Sequence, residues 1–143
     1  ELTHKDFSLD DTWFEVKTIG TGQQNIKISS LEQLDSNNCG EIIVIFIEKM
    51  SPTYRGISLN KLVLEVANLF DTLEDRDLFY SKVSLQGYEY NDYYDEYVFE
   101  KKDMVHYQVN DQFPKLTPKG LPHGIIKASY EIALSDISEF IVK

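Results

Sequence analysis

Residues 4–20 read HKDFSLDDTWFEVKTIG, and the second half of that run decides the fold. Residues 12–19 are nearly all strand formers: Thr, Trp, Phe, Val and Ile suit a pleated, half-buried surface. Side chains on a strand alternate faces. Trp13, Glu15, Lys17 and Ile19 therefore point one way, and Phe14, Val16 and Thr18 the other. The second face reads as a plain core face. The first sets a carboxylate and an ammonium two positions apart, between a tryptophan and an isoleucine. Burying charge is costly unless it is paired or serves a metal, so a strand built only for a core would carry Val or Leu there. Upstream stands Asp6, followed by Phe7. The pattern is an acid, a short linker, then acid-x-Lys on a strand.

Working outward, Gly20 and Gly22 mark a turn, and residues 24–29 return as a short strand, expected antiparallel to the first. Ser30-x-x-Gln33 has capping-box spacing and predicts a short helix from Leu31. Gln33 either completes that cap or faces the strand of Glu15. Residues 35–40 are a polar turn. Residues 41–49, EIIVIFIEK, form a near-continuous apolar run, which reads as a central strand covered on both faces. After the loop SPTYRG, whose Arg55 reads as a solvated residue, Ser58 caps a helix reaching about residue 70. Leu59, Leu62, Val63, Val66, Leu69 and Phe70 recur at helical spacing and should face inward. A second helix is expected over 76–86, with Leu78, Phe79, Val83 and Leu85 inward and Gly87 ending it.

The remaining sequence is strand-rich. Residues 95–100 and 104–110 read as a hairpin about KKD, with His106 a packed histidine rather than a ligand. FPKLTPKGLPHG, with three of the four prolines, reads as a rigid loop. Residues 125–134 alternate as a strand, and Ser135 should cap a last short helix over 136–141.

Net charge is −10, from 14 basic and 24 acidic residues. That argues against a free-standing nucleic-acid binder, whose affinity comes mainly from Lys and Arg on phosphates. It leaves a nuclease open, because a bound divalent cation reverses the local field. The acid is uneven, with 11 acidic against four basic residues over 71–111. Within that region lies YEYNDYYDEYVF (88–99). Tyrosines stack on bases, but these acids oppose nucleic acid, so half-buried strands at a protein interface are the preferred reading. Cys39 is the only cysteine and has no zinc-like neighbours. No apolar run approaches ~20 residues and the start is polar and charged, so a cytoplasmic location without membrane association is expected.

Taken together, DF (6–7), FEVKTIGTGQQNIKISSLEQL (14–34), GISLNKLV (56–63), QGYEYNDYYDEYVF (86–99), FPKL (113–116) and LPHGI (121–125) resemble the PD-(D/E)xK motif family associated with bacterial restriction-type defence genes. Two departures stand out. Lys5 precedes Asp6 where the motif's name has Pro, and the family's upstream helix, often carrying a Glu, has no counterpart here.

The resemblance implies an α/β fold: a restriction-endonuclease-like mixed sheet flanked by helices, with a C-terminal β-rich antiparallel extension. It implies one domain over 1–143, with a catalytic core over 1–72 and an extension over 73–143. The strands at 12–19, 24–29 and 41–49 would share a sheet with the Ser58 helix packed on it. It further implies phosphodiester hydrolysis, with Mg²⁺ (or Mn²⁺) held by Asp6, Glu15 and the Val16 carbonyl. Lys17 would stabilise developing charge, and Gln33 would support the metal water or a phosphate. Asp10 and Asp11 read as turn residues, and His4 as an outlying neighbour of the site. Expected partners are DNA as substrate and a protein or second copy at the Tyr-rich region. The alternatives are a catalytically silent nuclease-fold module that binds DNA or a protein, and a pure protein-interaction domain.

Overall fold

The strand formers after Asp11 do build a strand, and the rest of the main sheet is laid against it. The computed structural model describes residues 5–143. The elements in chain order are β1 (Phe7–Ser8), β2 (Trp13–Gly20), β3 (Asn25–Ile28), β4 (Gly40–Met50), α1 (Leu59–Ala67), α2 (Leu73–Leu85), β5 (Val98–Val109) and β6 (Tyr130–Ala133). Short 3₁₀ turns occupy Asp92–Glu96, Pro118–Gly120 and Leu134–Phe140. The main sheet is mixed, in the order β1-β2-β4-β5, and β3 and β6 form a second, antiparallel sheet. β1 runs antiparallel to β2, whereas β2 and β4 are parallel, with Val16 beside Ile43. This is the α/β architecture with a mixed sheet that the resemblance implies.

Two compact units divide the chain: Glu1–Ile47 with Lys101–Lys143, and Glu48–Glu100. The first holds the main core of Trp13, Ile26, Ile28, Leu34, Ile42, Val44, Tyr107, Val109, Phe113, Ile132 and Ile137. Trp13 packs directly over Gly40 and donates its indole N–H to the Asn38 carbonyl at 3.0 Å. In the second unit α1 packs against α2 and the 3₁₀ turn Asp92–Glu96.

Several local expectations need correction. The face of β2 read as plain core is the less buried one: Phe14 and Val16 are half-buried and Thr18 is exposed, while Trp13 and Glu15 on the charged face are buried. β3 pairs with β6 and not with β2, with Ile26 opposite Ile132. No helix starts at Leu31; residues 31–34 are turns, because the Gln33 side chain is drawn into a tertiary contact instead of a cap. The expected hairpin about KKD is one continuous strand, β5.

The C-terminal strand is confined to β6, and Ile126 is 85% exposed. The last short helix is a 3₁₀ turn without a Ser135 cap. Tyr93 and Tyr94 lie in a 3₁₀ turn and not on strands. α1 begins after Ser58 as expected, but it buries Asn60, Val63 and Ala67 while Leu59, Leu62 and Leu69 stay exposed. α2 starts three residues earlier than expected and buries none of its residues. Gly87 does end it, at a positive φ of 91° that favours glycine.

Candidate active site

The site is built on β2. Alternation turns Glu15 and Lys17 to one side, and the packing of that side leaves Glu15 only 2% exposed. A carboxylate so buried must be matched, and two groups converge on one of its oxygens. Lys17 Nζ lies 2.8 Å from Glu15 Oε1. Gln33 Nε2 donates to the same oxygen at 2.7 Å. Gln33 in turn uses its Oε1 as acceptor, from the Ser29 backbone N–H at 2.7 Å and from Lys17 Nζ at 3.4 Å. The amide thus reads both partners at once, with its donor on the carboxylate and its acceptor on the ammonium. Glu15 Oε2 is buried and has no hydrogen-bond partner. Such an orphan acceptor costs about 1–3 kcal/mol or more in a purely structural setting.

Asp6 reaches the same strand by another route. β1 pairs with β2 in the register Phe7 to Phe14 and Ser8 to Trp13. Continued by one residue, that register sets Asp6 opposite Glu15, and opposite residues share a face. The Asp6 side chain itself accepts from the Val16 backbone N–H through Oδ2, at 2.8 Å. It is exposed, unlike Glu15. Asp6, Glu15, Lys17 and Gln33 are therefore brought together around one short piece of β2. Asp10 and Asp11 are exposed in the turn between β1 and β2, where the Leu9 N–H donates to the Thr12 carbonyl. His4 lies outside the described residues.

Sequence reasoning missed Lys5. Its ammonium donates to three main-chain carbonyls of the Gln33 loop, those of Glu32 at 2.8 Å, Gln33 at 2.6 Å and Asp35 at 2.8 Å. It also stands 4.5 Å over the Trp13 ring. Burial holds its pKa below the ordinary value; the Asp35 and Glu15 charges oppose that shift, and Lys115 adds to it. Lys5 thus ties the segment bearing Asp6 to the loop bearing Gln33. Its only advance signal is its position next to Asp6, since its partners are backbone atoms.

Outside the site, His106 Nδ1 lies 2.8 Å from Glu41 Oε2, so that histidine is paired with a neighbouring strand. Cys39 is exposed and free. Among the described residues there is no cluster of three or more His, Cys, Asp or Glu able to hold a metal ion. No helix among them is long and apolar enough to cross a membrane. A family model described as "Putative PD-(D/E)XK family member, (DUF4420)" matches residues 1–135. No curated protein and no solved structure matches the chain.

Proposed function

We propose that the chain, which belongs to the DUF4420 family with its PD-(D/E)XK description, hydrolyses phosphodiester bonds of DNA with a divalent cation, Mg²⁺ or Mn²⁺. The setting would be bacterial restriction or anti-phage defence, as the motif resemblance implies. One observation carries the reading: a carboxylate that is 2% exposed keeps one oxygen tightly paired and the other without a partner. A structural ion pair gains nothing from that arrangement, whereas a hard cation takes an unpaired carboxylate oxygen well.

The donor set fits such an ion. Glu15 offers Oε2, and Asp6 keeps Oδ1 while Oδ2 holds the Val16 N–H. One residue's N–H and C=O leave a strand on the same side, so the Val16 carbonyl leaves β2 on the side where its N–H meets Asp6, beyond Phe7, the first residue of β1. Two carboxylates and a carbonyl suit Mg²⁺, which retains several waters and often binds through one or two carboxylates plus a substrate phosphate. When bound, the cation would lower the pKa of a water and offset charge on the phosphoryl oxygens. Lys17 supplies a positive charge beside the reacting phosphate. Gln33 keeps Lys17 and Glu15 in register, so neither side chain has to search for its place.

A silent nuclease-fold module is the second reading, favoured by the lack of a three-membered ligand cluster among the described residues. The full chain should nick DNA in Mn²⁺. Glu15→Gln should abolish this, and Lys17→Ala should lower the rate by ~10²-fold or more while calorimetric Mn²⁺ uptake persists. If no DNA or RNA is cut and no Mn²⁺ uptake depends on Asp6, the module reading replaces the nuclease.

A further inference from the structure

The second unit holds a cavity that plays no part in this chemistry. It is an open pocket of about 620 Å³, and its walls include Tyr80, Tyr88, Tyr90, Glu89, Asp95 and Leu64. A buried asparagine fixes its shape. Asn60 is 7% exposed; its Nδ2 donates to the Asn91 carbonyl at 2.9 Å, and its Oδ1 accepts from the Tyr88 hydroxyl at 2.9 Å. Tyr88 stacks on Tyr94, with ring centroids 6.1 Å apart. Asp95 Oδ1 is held by the Ser58 hydroxyl at 2.6 Å. The wall is thus built in place before any ligand arrives.

Its chemistry points to one class of ligand. Aromatic faces attract cations, and two carboxylates stand among them. Glu89 makes no hydrogen bond or ion pair with a described residue, so its charge is open to a partner. The one cation in the lining, Lys61, is directed away, to the Gly56 carbonyl at 3.4 Å and to Glu65 at 3.9 Å. Burial, with Tyr80 and Asp95 behind it, raises the Tyr88 hydroxyl pKa, so that ring stays neutral through the physiological range. The apolar wall of Val63 and Leu64 suits the alkyl stem of a long basic side chain.

We propose that this cavity seats a lysine or arginine side chain of a basic protein segment. A polypeptide is favoured over a free amine because Glu48–Glu100 carries eleven acids against five bases. That charge attracts a chain bearing several cations and adds little for one. The exposed Leu64 and Tyr90 at the wall give such a chain apolar surface to cover. Nucleic acid is repelled by the same charge.

The test is fluorescence anisotropy of the full chain with a labelled decapeptide of mixed Lys and Arg at 0.15 M salt. Binding is expected, weakened about tenfold in Glu89→Gln and again in Tyr90→Ala. Both residues are exposed, so the fold should survive either change. Asp71→Asn with Glu74→Gln, acids outside the cavity lining, should leave binding within about twofold. Equal loss in that control would mean diffuse attraction and overturn the proposal. So would binding of free arginine or tetramethylammonium with none of the peptide, self-association lost in Glu89→Gln, or no binding of any of these probes.

Discussion

A methyl group at position 40 would overlap the Trp13 ring. Since Trp13 neighbours Glu15 on the buried face of β2, Gly40→Ala should cost at least ~1–3 kcal/mol in a urea melt. It should also disturb the site. Lys5→Met removes three charge-assisted hydrogen bonds from one loop, each worth about 1.5–3 kcal/mol at most. Since water repairs part of that loss, a destabilisation of about 2 kcal/mol is expected, with the Gln33 contact to Glu15 weakened. The two variants mark what the sequence does and does not disclose. Glu15 and Lys17 could be found because a charge pair breaks the apolar alternation of a strand. The opposite face, Phe14, Val16 and Thr18, reads as core but is only half-buried to exposed, because alternation gives two faces and does not say how deeply each is covered. The role of Lys5 was not legible beyond its place next to Asp6: its acceptors are carbonyls, and carbonyls are the same in every sequence.

At the scale of elements, Ser58 has two tasks. Its hydroxyl oxygen accepts from the Lys61 N–H at 3.2 Å, capping α1, and its proton goes to Asp95. Ser58→Ala should therefore cost about 1–2 kcal/mol, at the upper end for a cap, as read by chemical denaturation. α2 offers a contrasting measurement. It buries no residue, so its amide hydrogens should exchange well before those near Ile42 and Val44, which are fully buried. The sequence marked the Ser58 cap and the Gly87 end, because both are local chemistry, but the Ser30 and Ser135 caps it suggested do not form and the Thr72 cap of α2 went unread. It misplaced the inward faces of α1 and α2, since a leucine repeat looks alike whether or not anything covers it. It also misassigned β3, whose partner lies about 100 residues away. Period-two alternation identifies a strand and says nothing of what pairs with it.

For the whole molecule, the titration of buried phenols sets the alkaline limit. Tyr107 is 5% exposed, and burial raises its pKa above the ordinary 10.0; Tyr130 is raised by burial as well. The folded state then holds protons that the unfolded chain gives up above pH ~10, so stability should fall as pH rises from there. Lys5 works in the opposite sense and only partly offsets it. A urea-midpoint series from pH 8 to 11 would show the decline, and Tyr107→Phe should flatten it. The parallel pairing of β2 with β4 has a consequence of another kind. Residues 21–39 must leave β2 and return before β4 can align, and they carry β3 and Gln33 with them. Among the described residues β3 finds its partner in β6. On the ribosome, a nascent chain that has passed Gln33 but not Tyr130 holds every residue of the polar cluster and lacks the strand that anchors its loop. Competence of the cluster is thereby postponed until synthesis has moved far beyond the residues that compose it.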